Sequence, residues 1–172
     1  MSNSGVETNI TLKYAEGSLQ NHAAQQMRIN FTGPKLHGLR ITNSVLEYHG
    51  SITIDAQILE HSGLLPAEFV NIWNKSNGSR IQTYVLPGIH NSGTVCLNGA
   101  AARSCQVGDE VIITSERPVD GTAALTPGFE YETRVLTFDH SQRVNTISEI
   151  LRYHVRVSQQ GMVDFRLDSL TK

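Results

Sequence analysis

The chain has 172 residues, of which 39% are hydrophobic and 17% charged, and its formal net charge is -2. This length fits one domain with a buried core and room for tails, and the balanced charge argues against a nucleic-acid partner. No apolar run reaches the roughly 20 residues that cross a bilayer, so we expect no membrane partner.

The N-terminal segment and the cysteines indicate a compartment. Residues 1–11 lack the basic and then apolar pattern of a signal peptide. Cys96 and Cys105 fit a reducing environment as small buried thiols. We therefore expect a cytoplasmic protein.

The chain begins with a polar segment and then becomes strand-like. Residues 1–26 are polar and weakly periodic, which predicts a flexible N-terminal tail. Residues 51–55 alternate polar and apolar side chains, as a half-buried strand does. Asp55 is placed to cap a helix over Ala56–His61, which Gly63 would end.

The middle of the chain is a series of short strand-like runs. Phe69–Trp73 and Arg80–Leu86 flank Asn77-Gly78, a dipeptide that favours a hairpin turn. Further predictions are strands at Thr94–Leu97, Glu110–Thr114 and Arg134–Phe138, a helical turn at Ala100–Ala102, and a loop over residues 116–130. The segment after about residue 145 has no clear period. Many short strands with few helices predict a mainly β fold, a small closed or nearly closed barrel.

Several short motifs follow one another in a distinctive order. They are Lys35-Leu36-His37, Tyr48-His49-Gly50-Ser51, Arg80-Ile81-Gln82-Thr83-Tyr84, Asn98-Gly99-Ala100-Ala101-Ala102 and Val107-Gly108-Asp109-Glu110. Each motif alone is a weak signal, but the ordered set, from about Met27 to Val144, resembles the pyruvoyl-dependent aspartate 1-decarboxylases. The resemblance implies a double-psi β-barrel over residues 27–145, self-cleaved between residues 50 and 51. A polar N-terminal tail, residues 1–26, and a C-terminal extension, residues 146–172, would flank it.

This resemblance implies that the protein makes its own cofactor, a pyruvoyl group derived from Ser51. The Ser51 hydroxyl would attack the Gly50 carbonyl, and elimination and hydrolysis would leave the pyruvoyl group at a new N-terminus. Gly50 has no Cβ, so it permits a strained turn and an open approach to its carbonyl. By resemblance, Thr83 and Asn98 donate hydrogen bonds at this processing site, where donors aimed at a developing oxyanion lower the barrier.

The resemblance also assigns roles in turnover. Tyr84 matches the family's proton donor, and Arg80 matches the residue that holds a substrate carboxylate, which a guanidinium binds through two oxygens at once. The other side chains and backbone expected to line the substrate site are those of Lys35, His37, Tyr48, Gly99, Ala100 and Ala101.

Strand geometry sets one condition on this assignment. Side chains on a strand repeat every two residues, so Arg80 and Tyr84 share a face and Thr83 points to the other. A bend or a neighbouring subunit would let Thr83 serve the same site, and the family consists of homotetramers with sites between subunits.

The chain departs from the family pattern at His49, where the family usually has Glu, and at Val45, where it often has Asp. The leading hypothesis is decarboxylation of L-aspartate to β-alanine and CO2 for pantothenate and coenzyme A biosynthesis, with or without a maturation helper. Two alternatives stay open: the same chemistry on a substituted aspartate such as 3-methylaspartate, or a non-processing paralogue with a structural or binding role. The sequence contains no close pair of histidines, such as His-x-x-x-His, that would predict a metal site.

Overall fold

The computed structural model describes residues 8–13, 28–141 and 144–171. Strands dominate this part of the chain and the helices are short, which confirms the predicted mainly β class. The strands are β1 (Thr8–Leu12), β2 (Arg28–Arg40), β3 (Asn43–Val45), β4 (Ser51–Asp55), β5 (Phe69–Asn74), β6 (Arg80–Gly88), β7 (Val95–Asn98), β8 (Glu110–Asp120), β9 (Glu130–Asp139), β10 (Thr146–Val157) and β11 (Val163–Ser169). The helices are α1 (Ala56–Ser62), a 3₁₀-helix η1 (Gly99–Arg103) and α2 (Gly121–Ala124).

The chain divides into two compact units, called here the core unit and the flanking unit. The core unit comprises residues 34–115 and 135–150, and the flanking unit comprises residues 1–33, 116–134 and 151–172. Within the core unit the strands lie in the order β9-β2-β8-β5-β6-β4-β7-β3. The sheet contains parallel pairs (β2 with β9, β3 with β7, β4 with β6) and antiparallel pairs (β4 with β7, β5 with β6, β5 with β8). Such a mixed sheet of short strands fits the small barrel expected from the sequence.

Alternating apolar side chains build the interior of the core unit. On β5, Val70 and Ile72 are fully buried while Phe69 is exposed, so one strand face packs inward. The largest buried side chains of this unit are Leu36, Leu39, Ile41, Ile52, Ile54, Ile58, Ile72, Leu97, Ile113 and Leu136.

Local signals place the first helix of the core unit where the sequence predicts it. Asp55 caps α1 by accepting the backbone N–H of Gln57 at 2.8 Å, and Gly63 ends it in the left-handed region with φ 83°. The buried Asp55 carboxylate also accepts the N–H groups of Asn91 and Gly93. One side chain therefore fixes both the start of α1 and the loop before β7.

The predicted loop over residues 116–130 is wrong for its first part. Strand β8 continues to Asp120, and that residue caps the short helix α2 by accepting the N–H of Thr122. Side chains from residue 116 to residue 120 alternate between exposed and half-buried positions. Pro118 suggests a break in the sequence, but proline is accepted in a strand where its missing N–H is not needed.

In the flanking unit, β1, β11 and β10 form an antiparallel ladder. Thr8 pairs with Leu167 at one end of β1, and Leu12 pairs with Val163 at the other. Part of the segment expected to be a flexible tail is therefore a strand, while residues 1–7 and 14–27 lie outside the described residues. The division of the chain at residues 26 and 145 stays a prediction. Among the described residues, no helix is long and apolar enough to cross a membrane.

Candidate active site

The Gly50-Ser51 bond lies between two residues with unusual backbone angles. Gly50 has φ 91° and Ser51 has φ 147°, so both occupy the region that L side chains rarely adopt. For a residue with a Cβ, such as Ser51, this backbone costs on the order of 1–3 kcal/mol, which the surrounding structure must offset. A Cβ at Gly50 would meet no atom within 4 Å, so the backbone angle rather than lack of room requires glycine there.

A second Gly-Ser bond, Gly78-Ser79, gives the contrast within the same chain. It lies in the β5–β6 turn, and only its glycine has a positive φ, 77°. The Ser79 hydroxyl is bound to the carbonyl oxygen of Ser104 at 3.1 Å. The positive φ of the serine, a residue with a Cβ, therefore distinguishes Gly50-Ser51 from an ordinary turn.

Asn98 is the cross-strand partner of Ser51. The two residues pair where β4 runs antiparallel to β7, and both are buried, with 4% and 0% exposure. The Asn98 Nδ2 donates to Ser51 Oγ at 2.9 Å and to Thr53 Oγ1 at 3.0 Å. The structure thus brings a fully buried donor to the serine expected to attack Gly50.

The residue after Asn98 fits against the backbone at the predicted cleavage bond. Gly99 has φ 65°, and a Cβ placed on it would lie 2.6 Å from the Gly50 nitrogen and 2.8 Å from the Tyr48 carbonyl oxygen. The start of η1, with Ala100 exposed and Ala101 half-buried, is therefore next to residues 48–50. Of the predicted set Gly99, Ala100 and Ala101, Gly99 lies against this bond, and the roles of the two alanines stay a prediction.

Tyr48 is exposed to 54% and lies on the bend between β3 and β4. Its ring centroid is 6.0 Å from that of His49 in an edge-on arrangement. The Tyr48 carbonyl faces the Gly99 backbone, while its phenol is accessible to a ligand. This accessibility suits a residue that lines an open site.

Arg80 and Tyr84 lie on one face of β6, as the strand period predicts. Arg80 Cζ lies 4.9 Å from the centroid of the Trp73 ring, and the Tyr84 ring packs 6.1 Å from that of Phe69. Trp73 and Phe69 are four residues apart on β5, which places both contacts on the same face. The pairing of Ile52 with Val85 also sets Ser51 and Tyr84, the residues just before them, at one level of neighbouring strands.

Thr83 occupies the opposite strand position from this pair. It pairs with Val70 of β5, whose side chain is fully buried. Within residues 28–141, no hydrogen bond links Thr83 to Gly50 or Ser51. Of the two expected processing donors, the structure brings Asn98 alone into contact with Ser51.

Lys35 and His37 alternate with the buried Leu36 on β2, so they share a face. Burial lowers the pKa of His37, and the charges of Lys35 and Lys75 lower it further, while Glu110 raises it. The imidazole therefore favours its neutral form. Among the described residues, neither Lys35 nor His37 makes a hydrogen bond with Ser51.

Among the described residues that contact predicted site residues, Thr53, Cys96, Trp73 and Phe69 were assigned no role from the sequence. Thr53 and Cys96 are two positions from Ser51 and Asn98 on their strands, and they pair with one another. The period of two could have identified them once the β4–β7 pairing was known. In the part of the chain that the structure describes, no group of three or more His, Cys, Asp or Glu side chains could hold a metal ion.

Comparison with known proteins gives a consistent result. The aspartate decarboxylase family model matches residues 27–145. The aspartate 1-decarboxylase of Methylocella silvestris is 51% identical over 133 residues, which covers 77% of this chain and 81% of that protein. The enzymes of the same name from Xanthobacter autotrophicus and Agrobacterium fabrum are 49% and 42% identical. The match to the Xanthobacter autotrophicus protein covers 76% of this chain and 83% of that protein. The match to the Agrobacterium fabrum protein covers 84% of this chain and 88% of that protein.

Proposed function

This chain belongs to the aspartate decarboxylase family, and we propose that it decarboxylates L-aspartate to β-alanine and CO2 with a pyruvoyl group made from its own Ser51. The observation that carries the proposal is the Gly50-Ser51 bond, which has positive φ on both sides and the buried donor Asn98 on the serine hydroxyl. The product would feed pantothenate and coenzyme A biosynthesis.

Self-cleavage begins with the Ser51 hydroxyl. Its Oγ bonds to the Gly50 carbonyl carbon, the C–N bond to Ser51 breaks, and the hydroxyl proton ends on the freed amine. Elimination from this ester leaves a Gly50 carboxylate, and hydrolysis with loss of ammonia leaves the pyruvoyl group on residue 51. Relief of the strained backbone favours the first step, and Asn98 stabilises the charge that develops on Ser51 Oγ. Thr83 would act as a second donor only through a bend or at the site of a neighbouring subunit.

The pyruvoyl group, once formed, serves as the electron sink for the departing carboxylate. Arg80 binds the side-chain carboxylate of the substrate. Within residues 28–141 its guanidinium has no ion pair or hydrogen bond, and its face rests on the Trp73 ring. The planar edge, with its N–H groups, is therefore available to two carboxylate oxygens.

The remaining site residues orient the substrate and move a proton. Tyr84 lies at the level of Ser51 on the neighbouring strand and returns a proton to the former α-carbon after CO2 leaves. Lys35 and His37, on one face of β2, and Tyr48 line the site. The Gly99–Ala101 backbone holds the substrate against the processed terminus, since Gly99 lies against Gly50.

The active form is a homotetramer with sites between subunits. Support comes from the exposed face of β5 and β6, where Phe69 is 63% exposed beside Tyr84 and the Arg80 side chain is open. A neighbouring subunit on this face would exclude water from the clamp and the proton donor. Light scattering of the cleaved protein measures the oligomer.

We place the enzyme in the cytoplasm, in keeping with its free, buried Cys96 and Cys105.

Intact mass under denaturing conditions tests the proposed function. The wild-type chain should give residues 1–50 and residues 51–172, and the second should lack the mass of one ammonia relative to a chain that begins with serine. Ser51→Ala should stay a single chain without activity, while Ser79→Ala, at the Gly78-Ser79 bond, should cleave normally. A wild-type protein that stays intact yet releases CO2 from aspartate would overturn the mechanism.

An assay of CO2 release over a small amino-acid panel then fixes the substrate. L-Aspartate should be the preferred member over 3-methylaspartate and glutamate. Purified precursor that cleaves on its own would also show that no maturation helper is needed.

A further inference from the structure

We propose that Cys96 is a positioning residue for self-cleavage: its thiol holds the Asn98 amide in the orientation that presents Nδ2 to Ser51. This inference rests on the proposed function and deepens its first step. It assigns a role to a buried side chain whose hydrogen-bond partners, among the described residues, are Asn98 and the Leu97 carbonyl.

Four side chains form one layer between β4 and β7. Ser51 pairs with Asn98, and Thr53 pairs with Cys96, two positions further along the ladder. Since strand side chains alternate, all four point to the same face. Cys96 Sγ lies 3.3 Å from Asn98 Oδ1, while Asn98 Nδ2 lies 2.9 Å from Ser51 Oγ and 3.0 Å from Thr53 Oγ1.

The two hydroxyl groups cannot decide which way the amide faces. An asparagine amide has an acceptor end and a donor end of nearly the same shape, and each hydroxyl can donate or accept. Ser51 and Thr53 would therefore satisfy either end of Asn98.

The thiol can decide, because a thiol is a weak donor and a poor acceptor of an amide N–H. With Oδ1 towards Cys96, the S–H has an acceptor and both Nδ2 hydrogens have hydroxyl partners. With the amide reversed, two N–H donors would face sulfur inside a buried layer. The Leu97 carbonyl is the alternative acceptor for this S–H, at the longer distance of 3.8 Å.

Burial keeps the thiol in the form that donates. Cys96 is 8% exposed, and burial raises the pKa of its thiol, so the sulfur retains its hydrogen at neutral pH. A hydrogen bond to Oδ1 also polarises the amide and strengthens Nδ2 as a donor.

The orientation matters at the moment when Ser51 attacks. As Oγ gives up its proton on the way to the Gly50 carbonyl carbon, negative charge develops on Oγ. The Nδ2–H directed at Oγ stabilises that charge, whereas an amide oxygen in the same place would repel it. Without the thiol donor, part of the precursor would hold Asn98 reversed and mature slowly.

Two pairs of variants test the proposal: Cys96→Ala with Cys96→Ser, and Cys96→Val with Cys96→Thr. In each pair, only the second member has a hydroxyl group. Cys96→Ala and Cys96→Val remove the donor, while Cys96→Ser and Cys96→Thr replace it. The measurement is the rate constant for loss of full-length precursor, followed by denaturing mass spectrometry after cell-free synthesis. Cys105→Ala is the matched control, because Cys105 is also buried and free but lies outside this layer.

We expect the Cys96→Ala and Cys96→Val precursors to mature about tenfold more slowly than wild type, which corresponds to loss of one hydrogen bond in the transition state. Cys96→Ser or Cys96→Thr should restore the rate only in part, because a hydroxyl donates to Oδ1 but also accepts from a reversed amide, and Cys105→Ala should mature like wild type. The two pairs differ in side-chain volume, so a folding defect in one leaves the other to decide.

Equal maturation within both pairs would overturn the role of Cys96 while leaving the proposed function intact. A wild-type chain that never cleaves would overturn the proposed function itself. The two failures are therefore distinguishable in one experiment.

Discussion

The Arg80 guanidinium lies over the Trp73 indole, with Cζ 4.9 Å from the ring centroid. The two residues are cross-strand partners of β6 and β5, so the contact is fixed by the register of the hairpin. Stacking holds the plane of the guanidinium and leaves its N–H edge free. The indole therefore orients the group proposed to bind the substrate carboxylate.

Replacing Trp73 by Leu should weaken substrate binding with little effect on self-cleavage. A cation–π contact at an exposed site contributes about 0.5–1 kcal/mol, so KM for aspartate should rise about two- to fivefold. Trp73→Phe keeps an aromatic face, so its KM should lie between those of the wild type and Trp73→Leu. Steady-state kinetics on fully cleaved enzyme measures the effect, and an unchanged KM for Trp73→Leu would contradict it.

Replacing Arg80 by Ala should reduce catalysis far more than stability. Loss of a charge-assisted carboxylate contact should raise the transition-state barrier by about 1.5–3 kcal/mol, read from kcat/KM. Arg156→Ala is the control, since Arg156 is exposed on β10 and paired with Glu130. If kcat/KM of Arg80→Ala stays within about twofold of wild type, Arg80 is not the carboxylate ligand.

Tyr84→Phe should cleave itself but turn over slowly. The hydroxyl acts after CO2 has left, whereas cleavage uses Ser51 with Asn98. Phe keeps the ring that packs against Phe69, so the fold should persist. The loss in kcat should be about 10²–10⁴-fold, measured on enzyme whose cleavage is confirmed by mass. Near-normal turnover would move the proton-donor role to Tyr48, His37 or water.

Gly99→Ala should block maturation. Its Cβ would fall within 2.6 Å of the Gly50 nitrogen and 2.8 Å of the Tyr48 carbonyl oxygen, and those are backbone atoms that cannot move aside easily. Gly78→Ala is a matched control, because Gly78 has φ 77° but open space around its Cα. The measurements are the extent of precursor cleavage, by mass, and the melting temperature of both variants. Both variants have the strain of an alanine at positive φ, so a defect found in Gly99→Ala alone comes from the steric clash. Normal cleavage of Gly99→Ala would mean that the loop at residues 48–50 adapts freely.

Acid should destabilise the protein partly through His37. Burial and the nearby Lys35 charge lower its pKa from the ordinary 6.5, so the unfolded chain binds a proton at a pH where the folded chain does not. The free energy of unfolding should therefore fall as the pH drops from about 6.5 through the lower pKa of the folded state. Urea unfolding of Ser51→Ala protein, with and without His37→Asn, measures this contribution, and identical pH profiles would exclude it.

The sequence predicts those parts of the fold whose signals are local. The cap at Asp55, the glycine at position 63 and the Asn77-Gly78 turn each impose a conformation on their neighbours, and α1 and the β5–β6 hairpin follow from them. The end of β8 carries half-exposed side chains and a proline, so its strand character depends on pairing rather than on its own residues. Strand β1 depends in the same way on β11.

The site divides along a similar line. Family resemblance identifies Ser51 and Asn98, although 47 positions separate them in the chain. It gives no role to Cys96 or Thr53, because their contacts with Asn98 arise from the register of β4 on β7. Thr83 was assigned the same role as Asn98, yet its strand position turns it towards Val70. Side-chain roles that depend on register become visible in three dimensions.

The pairing of the first three strands has a consequence for the cleaved protein. In the described residues, β1 pairs with β11, β2 lies between β9 and β8, and β3 pairs with β7, so each precedes residue 51 and each partner follows it. Cleavage therefore turns every one of these pairings into an interface between separate polypeptides. Within each subunit of the mature protein, these pairings then form only when two polypeptides meet, a second-order step, whereas in the precursor they form within one chain. Whether the chain has been cleaved before it is denatured thus determines how readily it refolds.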